Sequence, residues 1–248
     1  MNKKVLITAA ALTFVFVGCS NQATNQKAEE KIPSASAILK KTTANQKKQD
    51  NVHLAVDTVA GIADEKMKML VDADFSFKPV AMDGKYSMAI DDDSREFRIY
   101  AAKDKFYLKD DEHEWQDMSD QSDSLGIDLD SLISHANGAD TADLSADAKK
   151  AAKVTEINGN YTIKMKLTGK AADKLIKKGN ESLDMSKSVA AKTKVKSVNY
   201  HYVIDKKTSL PEQLKVKIKL DLGGAAMTET IDSKYSRWNE SAVTEPKL

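Results

Sequence analysis

The chain of 248 residues has one cysteine, Cys19, and it stands at the end of the one long apolar run. A lone cysteine excludes an intramolecular disulfide, so no covalent staple holds the fold. The apolar run, Val5 to Val17, spans roughly thirteen residues, too short for a membrane-spanning helix, which needs about 20. Charge of one sign is also missing: 38 basic side chains face 37 acidic ones. That balance leaves no basic excess for nucleic acid or anionic lipid headgroups. No G-x-S-x-G, phosphate-binding glycine loop or Ser/His/Asp order stands out. His53, His113, His135 and His201 share no metal-ligand spacing, and no second cysteine could join them. All four read as solvated surface histidines, with His53 and His201 on the polar faces of strands. The chain has no internal repeat. The expectation is a protein that is not an enzyme and that needs no cofactor and no metal.

What is present begins at the N-terminus. Lys3 and Lys4 form a short positive start, the apolar run follows, and Gly18, Cys19 and Ser20 close it. This has the layout of a secretory signal. Phe16-Val17-Gly18-Cys19 resembles the lipobox of bacterial lipoproteins, although Phe16 stands where that family prefers Leu. The resemblance implies cleavage between Gly18 and Cys19 and a diacylglyceryl group on the Cys19 sulfur. It implies a partner, the membrane, and a place, the extracytoplasmic face of the cell membrane. Two acyl chains hold a protein stably where one does not. Residues 19–33 are polar and rich in Asn, Gln, Lys and Glu, the composition of a tether. Lys3 and Lys4 are two of the 38 basic residues, so the chain after Gly18 carries 36 against 37 acids. A Lys-, Asp- and Asn-rich lipoprotein with one cysteine fits a Gram-positive bacterium. The domain reading is a signal peptide over 1–18, a lipid-anchored tether over 19–33 and one domain over 34–248, a monomer.

Within 34–248, Ser34 to Asn45 reads as a short helix capped by Ser34, with Ala35, Ile38 and Leu39 as its apolar stripe. The period then switches to two. KMKMLVDADFSF places Met67, Met69, Val71, Ala73, Phe75 and Phe77 on one side, with Leu70 the exception. MDGKYSMAI, REFRIYAA, KFYLKD and HEWQDM continue as shorter strands, with Asp91–Ser94, Lys103-Asp104 and Asp110–Glu112 as turns. IDLDSLISHANG reads as a helix stopped by Asn137-Gly138, and LSADAKKAAK as a second. KVTEI and YTIKMKL form a hairpin around Asn158-Gly159, the strongest short hairpin signal. Thr168 is expected to cap a helix carrying Ala172, Leu175 and Ile176. Residues 180–191 are ambiguous. VNYHYVID, LKVKIKLDL and MTETIDSKYS supply the last strands.

Clean alternation means strands buried on one face and wet on the other, hence an antiparallel sheet. Nine or ten strands would make one large curved sheet, with short helices on its concave apolar face, an α+β fold. The order of lipobox, tether, helix, long meander, helical insertion and late hairpin YVIDKKTSLPEQLKVKI resembles the LolA/LppX-like half-barrel of lipoprotein carriers. FYLKDDEHEW resembles the central hairpin of that group. The resemblance implies a space between sheet and helices that holds acyl chains or other lipid parts.

The candidate apolar ligand face is Met67, Met69, Val71, Phe75, Met88, Tyr161, Ile163, Met165, Tyr200, Tyr202, Leu214, Val216, Ile218 and Leu220. Methionine is adaptable and suits varied ligands, but the same residues would fill an ordinary core. Asp117, Asp120, Asp123, Asp128 and Asp130 do not match the calcium-loop spacing. They read as a solvated loop and helix-start acids. Two functions stand: a membrane-anchored lipoprotein binding a lipid or other hydrophobic ligand, or an envelope interaction protein with a closed core.

Overall fold

The computed structural model describes residues 31–62, 65–91, 93–120, 146–173 and 193–248. Cys19, the expected helix over 127–138 and the ambiguous stretch 180–191 lie outside them. Ile32–Leu248 forms one compact unit.

Helix α1 runs Ala35–Gln46. Ser34 has extended backbone and its Oγ accepts the Ala37 N–H at 3.3 Å, which satisfies an otherwise orphaned amide. The i, i+3, i+4 spacing puts Ala35, Ile38, Leu39, Thr42 and Gln46 on its buried stripe. Helix α2, Ala146–Ala151, is the described part of the second expected helix. A further helical turn starts at Lys170, and its first backbone bond runs from Asp173 N–H to the Gly169 carbonyl at 3.0 Å. The cap position therefore falls on Gly169, one residue after the expected Thr168.

Eleven strands form one open antiparallel sheet. The first group is β1 Asn51–Ile62, β2 Glu65–Phe77, β3 Val80–Ile90, β4 Asp93–Ala102, β5 Lys105–Lys109 and β6 Gln116–Asp117. The second is β7 Lys153–Ile157, β8 Asn160–Leu167, β9 Thr193–Asp205, β10 Pro211–Leu222 and β11 Ala225–Ser236. Their spatial order is β6-β5-β4-β3-β2-β1-β11-β10-β9-β8-β7. The sheet is thus two meanders side by side, joined where β1 pairs with β11. The long meander and the late hairpins expected on either side of the helical insertion are these two groups, and β6 and β7, which border the insertion, occupy opposite edges.

The strand beyond the expected ten is β1, at the centre of the sheet. Its alternation is blurred, because Ala55 and Val59 take the wet side while Thr58 takes the buried one. Burial in the middle of the sheet, rather than a clean period, makes it a strand. The expected turn at Lys103-Asp104 forms as read, whereas Asp93 and Ser94 of the expected Asp91–Ser94 turn open β4. Asn158 and Gly159 both have positive φ, 51° and 82°, as a tight two-residue hairpin requires.

The core lies on the inner face of the sheet, under α1 and α2. Val52, Phe75, Ile163, Val198 and Ile204 are fully buried there, and Ala35, Ile38, Leu39 and Ala148 pack against that cluster. Among the described residues no helix is long and apolar enough to cross a membrane.

Candidate functional site: the inner apolar face and the charged outer face

Pairing aligns inner-face side chains in rows that cross the whole sheet. One row runs Ile163, Tyr202, Leu214, Ser233, Val56, Val71, Tyr86 and Phe97. The next runs Met165, Tyr200, Val216, Ile231, Thr58, Met69, Met88 and Arg95. A third carries Leu167, Val198, Ile218, Glu229, Ala60, Met67 and Ile90.

All fourteen residues of the expected ligand face project to this one side, but not to one depth. Phe75, Ile163, Tyr202 and Leu214 are sealed in the core. Val71, Tyr161, Met165, Val216 and Ile218 are also buried. Met69, Met88, Tyr200 and Leu220 are half-buried, and Met67 is 40% exposed. Ile90, beside Met67, is 51% exposed. The face is closed at the end where β1 starts and β2 finishes, and it opens toward the β1–β2 and β3–β4 turns.

Two polar features on this side were not singled out in the sequence. Thr42 and Gln46 of α1 are buried at 1% and 0% exposure, and neither side chain has a hydrogen-bond partner among the described residues. Glu229 lies between Ile218 and Ala60, and burial pushes its carboxyl above the usual carboxylate range. The alternation in MTETIDSKYS places Glu229 on the same side as Met227 and Ile231, which was the available signal.

The outer face carries the charge, and it is divided. On β1–β5 cations meet carboxylates: Lys68–Asp57 at 3.6 Å, Lys85–Glu96 at 3.0 Å, Arg98–Asp83 at 3.1 Å, and Lys109 with Glu114 at 2.6 Å. His53 departs from the solvated-histidine expectation. Its side chain is 18% exposed, its Nδ1 lies 2.8 Å from Asp74 Oδ1, and Arg237 donates to the same Asp74 oxygen at 2.9 Å. The reason is pairing, since β1 sets His53 directly opposite Asp74. His201 stays half-buried on the outer face of β9. His113 contacts Asp110, whose Oδ1 also accepts the backbone N–H groups of Glu112 and His113, and these bonds hold the Asp110 carboxyl below its usual range. Asp117 is likewise held low, by the Ser119 hydroxyl and amide. Asp123, Asp128, Asp130 and His135 lie outside the described residues, as do Gly18 and Cys19. Among the described residues no group of three or more His, Cys, Asp or Glu is placed to hold a metal ion.

The chain is similar to several solved structures. LprF from Mycobacterium bovis is 15% identical over 86% of this chain and 96% of its own, with a TM-score of 0.54. The Mycobacterium tuberculosis lipoprotein LppX is 16% identical over 85% and 98%, with a TM-score of 0.45. A LolA superfamily protein from Nitrosomonas europaea is 11% identical over 82% and 94%, with a TM-score of 0.23. The shared fold rests on LprF, and the open half-barrel expected from the sequence is the architecture found. No curated protein matches the chain. A family model, described as a family of unknown function (DUF6612), matches residues 25–245, and the chain belongs to that family.

Proposed function

We propose that this is a membrane-anchored extracytoplasmic lipoprotein, lipidated at Cys19, that binds a hydrophobic ligand between its sheet and its helices and catalyses no reaction. One observation carries the reading. The core and the exposed residues Met67 and Ile90 belong to one mainly apolar face, interrupted by Glu229 and Arg95 and graded from sealed to open. An apolar surface that leaves a core and runs to solvent invites an apolar occupant, since covering it recovers about 25 cal/mol per Å². Half-buried Met69 and Met88, cross-strand neighbours, give this stretch the adaptable lining that varied acyl chains require. The lipobox-like Phe16–Cys19 and the polar stretch after it support anchoring.

The test is native mass spectrometry of protein starting after Cys19, purified without detergent and then extracted with organic solvent. A discrete added mass that extracts as lipid supports the reading and gives the ligand class. Bare protein that takes up no fatty acid, phospholipid or glycolipid when these are offered points to the closed-core envelope interaction protein instead.

A further inference from the structure

The formal charge of the chain is near zero, yet the fold gathers lysines on the outer face of β7–β10. Lys164 and Lys215 flank His201, and Lys166 and Lys217 flank Asn199, each set aligned by pairing. Lys219 continues the β10 line opposite Ser197. Two lysine rails therefore run along β8 and β10, with Asn199 and His201 of β9 as a polar floor between them. Lysines two residues apart on a strand are about 7 Å apart, and the rails are separated by two strand spacings, about 10 Å. Lys153 heads β7 directly opposite Lys164, a like-charge cross-strand pair. Such pairs are destabilising.

The contrast with the other half of the sheet gives this pattern its meaning. On β1–β5, Lys68, Lys85, Arg98 and Lys109 each have a carboxylate. On the rails Lys215 reaches Asp232 at 3.1 Å. Lys153, Lys164, Lys166, Lys217 and Lys219 have no carboxylate partner among the described residues, and all are exposed. The surface is also concave. A depression of about 480 Å³ is lined by Lys153, Lys164, Lys166, Lys215 and Lys217, with Asn199 and His201 between them and Ala151, Met165 and Tyr200 also bordering it. Lys196 with Asp221 and Lys206 with Glu156, each at 3.0 Å, pair beside the rails, but a merely solvated face needs neither a concavity nor five exposed lysines left without a carboxylate among the described residues.

We propose that this groove binds a linear, base-free phosphodiester polymer lying along β9. Two parallel rails fit a chain of anions better than a single anion. Their repeat is close to that of an extended phosphodiester bridged by three carbons. The floor side chains Asn199 and His201 offer hydrogen-bonding groups; the one tyrosine at the depression, Tyr200, is in register with Met165 and Val216 of the inner face, so β9 turns no Phe, Tyr or Trp outward on which a base would stack. The lysine side chains lie on the face opposite the apolar one, and the two faces share only the strand positions of Met165 and Tyr200, which border the depression.

The probe is a fluorescent ten-unit abasic deoxyribose-phosphate oligomer, titrated by anisotropy into the full chain in a non-ionic detergent. Binding should weaken with salt, with about 0.7 counterions released per phosphate contacted. The double variant Lys164→Gln/Lys217→Gln should bind about tenfold more weakly and show a salt slope lower by about 1.4. Lys85→Gln, from the paired half, should bind like the parent. The proposal is overturned if the double variant matches the parent, or if Lys85→Gln weakens binding as much. It is also overturned if unlabelled inorganic phosphate competes at equal phosphate concentration. Two further results overturn it by assigning the groove elsewhere: a base-bearing ten-unit thymidine oligomer binding more than about tenfold tighter, as stacking would produce, or phosphatidylglycerol vesicles capturing the protein through the same lysines while the oligomer does not bind.

Discussion

Gly84 of β3 lies directly opposite Ala73 of β2, so closely that a side chain at position 84 would overlap the Ala73 methyl and come within 2.5 Å of the Asp72 carbonyl oxygen. Both residues sit in the row that also holds Leu54 and Ile99, buried at 1% each. Gly84→Ala should force the β2–β3 pair apart and destabilise the protein by about 1–3 kcal/mol, the usual scale of overpacking. Urea denaturation measures it. A change below about 0.5 kcal/mol would show that the strands slide without cost. Ala73→Gly in the same chain should recover part of the loss.

Glu229 should make stability depend on pH in the direction opposite to a salt-bridged acid. Burial raises its folded pKa above the unfolded value, so the folded state takes up the proton first. The cost is present at neutral pH and is relieved as pH falls through the raised folded value toward the ordinary glutamate range. Glu229→Gln should therefore stabilise the protein at pH 7, by about 1 kcal/mol on the scale for buried polar groups. That advantage should shrink on acidification toward about pH 4. Thermal melts at several pH values decide it, and a constant difference between the two proteins would sink the assignment.

Gln46 has both amide atoms buried without a partner among the described residues, and Thr42 has its hydroxyl in the same state. Replacing Gln46 with Met keeps the shape and removes the unmet polar atoms. A gain of about 1–2 kcal/mol is expected. A loss of stability instead would mean that a water or a bound polar group serves the amide.

The C-terminal segment is held to the outer face by charge. Lys105 Nζ lies 2.5 Å from Glu245 Oε1, the Tyr107 hydroxyl donates to the same oxygen at 3.3 Å, and Tyr107 stacks on Tyr100 with centroids 5.6 Å apart. The Lys105 hydrogen bond holds the Glu245 carboxyl below its usual range. The contact is therefore complete above the ordinary glutamate pKa and lost as pH falls through the lowered one. Amide exchange over residues 241–248 should quicken on acidification, relative to the intrinsic rate, in the parent chain. In Glu245→Gln it should be fast at neutral pH already. Equal protection in both proteins would show that the tail is held by other contacts.

Much of the sheet was legible along the chain. Alternation assigned Val198, Tyr200, Tyr202 and Ile204 to one face of β9, and the Asn158-Gly159 pair placed the β7–β8 hairpin. Both are local signals, since side-chain direction repeats every two residues and a tight turn selects its own residues. The sites were less legible. LKVKIKLDL showed alternating lysines, and YTIKMKL showed two more, but each read alone as a wet face. They became two rails only when β9 placed them side by side.

By itself the sequence determined which side chains share a face, where the Asn158-Gly159 turn falls, and that the lone cysteine closes the long apolar run near the N-terminus. The tertiary structure alone decided that β1 pairs with β11, so that the first and last strands form the middle of the sheet and β6 and β7 become its edges. It also decided how deeply each inner residue is sealed, leaving Phe75 buried and Met67 exposed on one strand. Period is a property of neighbours along the chain. Pairing between distant strands, and the depth it gives each row, depends on the packing of the whole sheet and its helices.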